Sequence, residues 1–270
     1  MGRVDGKVAF VTGGAVGLGR SHVLTLAREG ADVAVFDLGD GHRDAEPGYP
    51  LAKQADLDKT VEDVRRLGRR GLGLVGDVRD QADLDAAVSR TVSEFGRIDV
   101  LVASAGIAMM GAAWEMSRQD WDLLMGTNLT GVWQSCKAVI PQMIKQQYGR
   151  VILISSATGY KAFDQLGPYC AAKAGVIALG KVMALELAKH WITVNSICPG
   201  TVDSGASRGL AFRHQLDWDT MLETSFLPAQ VVPALLTMDD ISNGVVFLAS
   251  DEARYLTGVA LPIDAGVTTK

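Results

Sequence analysis

Seven short apolar runs recur along this chain, with longer amphipathic stretches between them. The runs are KVAFVT (7–12), DVAVFD (32–37), LGLVGD (72–77), DVLVAS (99–104), VILISS (151–156), ITVNSI (192–197) and GVALPI (258–263). They are rich in Val, Ile and Leu and do not strictly alternate apolar with polar residues. Strands of that kind are buried on both faces, as in a parallel sheet. Apolar residues at helical spacing fill 18–29, 57–69, 80–95, 120–147, 168–190 and 239–250. Parallel neighbours need crossovers, so this alternation predicts a doubly wound α/β sheet of about seven strands with helices on both faces. The chain has 270 residues, 48% of them hydrophobic, which fills one such core but not two. Residues 1–270 are therefore read as a single domain. Sheets of this class bind ligands at the carboxyl ends of their strands, where strand order reverses.

The charge balance narrows the function further. A net charge of -5, with 21% charged residues, gives no electrostatic reason to hold nucleic acid or an anionic membrane. The first residues run straight into a strand, and no apolar stretch reaches about 18 residues, so a cytoplasmic protein is expected. Cys136, Cys170 and Cys198, and His22, His42, His190 and His214, show no ligand spacing. Neither a disulfide frame nor a metal site is expected. Two segments interrupt the rhythm. The polar, Gly- and Pro-rich stretch 38–56 predicts an inserted irregular loop. The stretch 201–238 places Phe212, Leu216, Trp218, Met221, Leu222, Phe226 and Leu227 at three- and four-residue steps, which predicts short amphipathic helices forming a lid.

Thr12-Gly13-Gly14-Ala15-Val16-Gly17-Leu18-Gly19 follows the first strand and opens the first helix. Glycines there permit a tight turn and close approach of a pyrophosphate, which the free N–H groups of the helix start attract. Gly13, Gly17 and Gly19, with Val16 and Leu18 between them, are candidate cofactor contacts. Asp37 ends the second strand, 18 residues after Gly19. A carboxylate there accepts hydrogen bonds from ribose hydroxyls and repels a 2′-phosphate, which favours NAD over NADP. Leu38 follows it on the same rim. Arg20 and Arg43 are the cations able to reverse that preference. Asp77, followed by Val78, ends the third run; on sequence alone it reads equally as a cap for the helix that follows.

Tyr169 and Lys173 stand four apart in YCAAK, one turn apart on one helix face. Pro168 suits that helix's first turn. Ser156 ends a strand 13 residues earlier, and Asn128 lies within the stretch 120–147. This set matches the needs of hydride transfer at a carbinol carbon. A tyrosine with its ordinary pKa near 10 is a poor base, and a neighbouring ammonium favours the phenolate. Lys173 supplies that charge and a donor for the nicotinamide ribose. Ser156 is placed to hold the substrate oxygen, and Asn128 to order a proton-relaying water. Trp114, Trp121, Trp133 and Trp191 are read as core or interface residues.

These motifs, with ASAG at 103–106, ISS at 154–156 and PGTV at 199–202, resemble the short-chain dehydrogenase/reductase family over the whole length. The resemblance implies a Rossmann fold, a nicotinamide cofactor, the set Asn128, Ser156, Tyr169 and Lys173, and a homotetramer. It implies that Asp77 faces the adenine amine and that Ser104, Ala105, Gly106 and Ile107 border the cofactor. By the same resemblance Pro199, Gly200, Val202 and Ser204 line the nicotinamide side. The second position of ASAG departs from the family: asparagine is usual there, and Ser104 is too short to tie the sheet centre without help. The loop 38–56 resembles the mycofactocin-coupled, carveol dehydrogenase-like subgroup. That implies an NAD covered by Tyr49 and Pro50, held without free exchange and reoxidised by a carrier such as mycofactocin. Phe212, Trp218, Met221 and Phe226, with Tyr160 and Phe163, suggest an apolar pocket for a hydrophobic secondary alcohol or its ketone. The alternatives are an NADP(H)-dependent 3-ketoacyl reductase and a non-catalytic NAD-binding sensor.

Overall fold

The computed structural model describes residues 2–41, 47–213 and 215–270. His42, Arg43 and His214, and the side chain of Phe212, lie outside the described residues.

The strands are β1 (Val8–Thr12), β2 (Asp32–Asp37), β3 (Gly71–Val75), β4 (Val100–Ala103), β5 (Gly149–Ile154), β6 (Ile192–Pro199) and β7 (Ala260–Ile263). They form one parallel sheet in the order β3-β2-β1-β4-β5-β6-β7. Strand order reverses between β1 and β4. The helices are α1 (Gly17–Arg28), α2 (Gln54–Arg66), α3 (Gln81–Phe95), α4 (Arg118–Met125), α5 (Gly131–Gln146), α6 (Gly167–Leu187), α7 (Gly205–Arg213), α8 (Trp218–Met221) and α9 (Met238–Ala249).

The two faces of the strands account for the unbroken apolar runs. Ala9, Val11, Val33, Val35, Val100 and Val102 face α1, α2 and α9. The alternate residues Phe10, Ala34, Phe36, Leu101 and Ala103 face α3, α5 and α6. Both sides of each central strand are covered, so alternation has nothing to report.

Three expectations need adjustment. The run 72–77 ends as a strand at Val75, because the Asp77 N–H turns to the Asp83 carboxylate at 2.9 Å. The stretch 120–147 is not one α-helix: a π-helical turn, Gly126–Thr130, separates α4 from α5 and holds Asn128. Of the core and interface readings for Trp114, Trp121, Trp133 and Trp191, the core one falls, because all four are exposed, Trp114 and Trp191 largely so. No helix among the described residues is long and apolar enough to cross a membrane.

Candidate active site

A cavity of about 380 Å³ opens at the carboxyl ends of the strands, within the range of small-molecule sites. Every cofactor candidate read from the sequence lines it, as do Ser156, Tyr169 and Lys173. Asn128 does not; it is fully buried behind the wall.

The nucleotide end is built by close backbone packing. A Cβ on Gly13 would sit 2.7 Å from the Ala105 Cα, and one on Gly19 only 1.9 Å from the Gly13 carbonyl oxygen. Gly17 has φ +57° with nothing within 4 Å of its missing Cβ. α1 has no side-chain cap and no acidic residue in its first turn, whereas Asp80, Ser117 and Thr237 cap α3, α4 and α9. The first amides of α1 are therefore left for an anion. Asp37 is buried beside them. Burial raises its pKa, and N–H donors from Ala15 and Leu38, each at 2.8 Å, oppose that rise. Arg20 donates to Asp63 at 2.6 Å, so that cation is already engaged. The donor set fits a dinucleotide with an unmodified ribose.

Asp77 does not cap α3; Asp80 does, accepting from Ala82 N–H. Asp77 instead accepts from the Arg79 N–H and Nε, each at 2.8 Å, and still lines the cavity. Ser104 needs no long side chain, because the Thr12 hydroxyl accepts from the amides of Ser104 (3.1 Å) and Ala105 (3.2 Å). β1 thus holds the segment after β4 by its own threonine.

At the chemical end, Tyr169 and Lys173 share a face of α6, as their spacing requires. Lys173 Nζ lies 5.6 Å from the Tyr169 ring centroid and donates to the Ile154 carbonyl at 2.8 Å. Burial pushes the tyrosine up to about 12, against the pull of the facing Ser156 hydroxyl. Burial also brings Lys173 down to about 8. Desolvation is the largest influence on both groups in the chain by itself. Asn128 lies behind the cavity wall and binds main chain with its side chain. Its Oδ1 accepts from the Ile107 N–H and its Nδ2 donates to the Ile107 carbonyl, both at 2.8 Å. It clamps the cavity wall, and both ends of its amide are engaged by main chain.

Residues 13–268 match the family described as Enoyl-(Acyl carrier protein) reductase. A (-)-trans-carveol dehydrogenase from Rhodococcus erythropolis is 40% identical, with both chains covered in full. The chain belongs to the short-chain dehydrogenase/reductase family. The fold agrees: a Mycobacterium avium carveol dehydrogenase solved with NAD superposes at TM-score 0.93, with 39% identity and full coverage of both chains. An NAD-bound short chain dehydrogenase from Mycobacterium paratuberculosis superposes at 0.92, with 36% identity, again over both whole chains.

Within this dehydrogenase/reductase the lid is only partly what its sequence implied. Phe163 and Phe226 line the cavity. Tyr160 does not; it is half-exposed and its hydroxyl donates to the Ala260 carbonyl at 2.8 Å. Trp218 packs on Phe226 and under Arg208, and Met221 is buried within the lid. Val267, from the stretch after β7, also lines the cavity, and no periodicity or motif marks it.

Proposed function

We propose that this protein is an NAD-dependent dehydrogenase that interconverts a hydrophobic secondary alcohol, terpenoid or alicyclic, and its ketone. The observation that carries the reading is one cavity holding the glycine turn and Asp37 at one end and Ser156, Tyr169 and Lys173 at the other. NAD, when bound, supplies the hydride-accepting ring. Gly13 to Gly19 would hold its phosphates and Asp37 its ribose, while Lys173 would donate to the second ribose. Ser156 holds the substrate oxygen. As phenolate Tyr169 takes the hydroxyl proton in oxidation, and as phenol it gives one in reduction, with Lys173 the nearby cation that favours the phenolate. Burial, which raises the Tyr169 pKa, favours the phenol that ketone reduction needs as its donor. Asn128 fixes the wall at Ile107, and any relayed water meets main chain there. The apolar walls, Ile107, Phe163, Leu166 and Phe226, support an apolar substrate over a sugar.

The inserted loop supports the finer reading that NAD is held without free exchange and reoxidised by a carrier such as mycofactocin. Tyr49 is buried, and Pro47, Pro50 and Leu51 line the cavity beside it. A homotetramer belongs to the same reading; Val182 and Leu185 are apolar and exposed on α6. An acyl-carrier substrate with NADPH is disfavoured by buried Asp37 and by the Arg20–Asp63 pair.

The test is to denature purified protein, identify the nucleotide released, and then screen alcohols with an artificial electron acceptor. Tyr169→Phe should abolish turnover and leave NAD bound. Turnover surviving that change would remove Tyr169 as the proton carrier. Complete loss of nucleotide on desalting would remove the non-exchange reading.

A further inference from the structure

Tyr49 comes from the inserted loop, yet two distant parts of the chain meet on it. Its hydroxyl accepts a hydrogen bond from the Ala108 N–H at 2.9 Å. Its ring lies against α7 where only a glycine fits: a Cβ at Gly209 would sit 2.7 Å from the ring's Cγ and Cδ2. Ala108 directly follows Ile107, whose amide and carbonyl Asn128 clamps. The wall after β4 is thus held on one side by Asn128 and at the next residue by Tyr49.

The lid rests on that same piece of wall. Ala211 and Met221 form a buried cluster against which Ala108, Met110 and Phe226 pack. Tyr49, Ala108, Phe226 and Tyr169 all line the one cavity. The loop that leaves the ribose-binding end of β2 and the helices over the chemical end therefore share a junction.

We propose that Tyr49 is a positioning residue that seats the substrate lid, so that the nucleotide cover and the alcohol pocket close as one unit. This rests on the reading of the cavity as a joint NAD and alcohol site. NAD leaves only when α7 lifts from the tyrosine ring, and a bulky alcohol binds well only when α7 is seated. Gly209 is the complementary half of the contact. A methyl group there has no room while the ring is present.

The experiment is a double-mutant cycle on the full chain with Tyr49→Ala and Gly209→Ala, alongside the conservative Tyr49→Phe. NAD affinity and release are read from protein fluorescence. KM and kcat are read with cyclohexanol and 2-propanol and an artificial acceptor. Tyr49→Phe keeps the ring and loses the acceptor; it should speed NAD release and raise KM for cyclohexanol by roughly two- to tenfold, the range of one neutral hydrogen bond, with kcat little changed. Gly209→Ala ordinarily favours a helix interior. Here it should speed NAD release at least as much, because the methyl displaces the ring. In the Tyr49→Ala background the same methyl should add nothing. Effects that multiply instead, or a Tyr49→Phe protein with unchanged NAD release and unchanged KM, overturn the proposal. Tyr49→Phe is nearly isosteric, so its result stands even where the alanine variants fold poorly. Normal NAD binding without coupling between positions 49 and 209 removes only the role of Tyr49. Failure of the unaltered chain to bind NAD removes the functional reading and this inference together.

Discussion

His22 should make this fold acid-sensitive well above the range where carboxylates titrate. The ring is fully buried on α1 and holds α9 through Ser242, with Nδ1 2.8 Å from the Ser242 hydroxyl. That hydroxyl is also placed to donate to the Met238 carbonyl at 2.9 Å, an arrangement satisfied by a neutral ring with its proton on Nδ1. Among the described residues Nε2 has no partner, and a proton there would leave a charged N–H unpaired in the core. Burial accordingly lowers the pKa from 6.5 to about 3. The unfolded chain takes up this proton near pH 6.5, and the folded chain resists until near pH 3. The contribution is complete above pH 6.5 and is lost as pH falls through that window. At about 1.4 kcal/mol per pH unit, the loss is about 2 kcal/mol at pH 5 and about 5 kcal/mol by pH 3. Asp203, Asp217, Asp240 and Asp251 are lowered from ordinary carboxylate values, so they weaken the fold only in more acidic solution. Urea unfolding midpoints between pH 7.5 and 5, taken on the unaltered chain and on His22→Leu, separate the histidine from Asp37, whose burial-raised pKa acts in the opposite direction and alike in both proteins. His22→Leu should flatten that slope, at some cost to stability at neutral pH. Parallel slopes for the two proteins would show that another group takes up the proton.

Three further outcomes follow from the cavity. Gly19→Ala places a methyl group 1.9 Å from a backbone oxygen and should abolish NAD binding, as measured by titration, because the glycine turn cannot yield without opening. Lys173→Met removes the cation beside Tyr169; since an ammonium favours phenolate, alcohol oxidation in the NAD-loaded enzyme should require higher pH, seen as an alkaline shift of the kcat/KM profile. Asn128→Ala orphans the amide and carbonyl of Ile107, both buried, and should lower stability by about 2–5 kcal/mol in chemical unfolding while weakening NAD binding.

Much of the site was legible because its parts are local. The glycine turn, Asp37 at a strand end, and the four-residue step from Tyr169 to Lys173 are read from neighbours in sequence, and the structure places them in one cavity. Tyr160 misled because an aromatic beside the site can turn its hydroxyl to another strand, here to Ala260. Ser104 looked like a weakness only while Thr12, far away in sequence, was out of view.

The order of strands and helices, both covered faces of the sheet and the position of the glycine turn were set by sequence alone. Short-range periodicity and backbone sterics act within a few residues and leave their mark in the pattern. Tertiary structure alone decided that Asn128 clamps Ile107, that Tyr49 meets Ala108 and Gly209, and that burial raises the Tyr169 pKa and lowers that of Lys173. Those outcomes depend on which distant segments pack together and how much water they exclude. Desolvation belongs to the assembled cavity, and no residue carries it in its own identity.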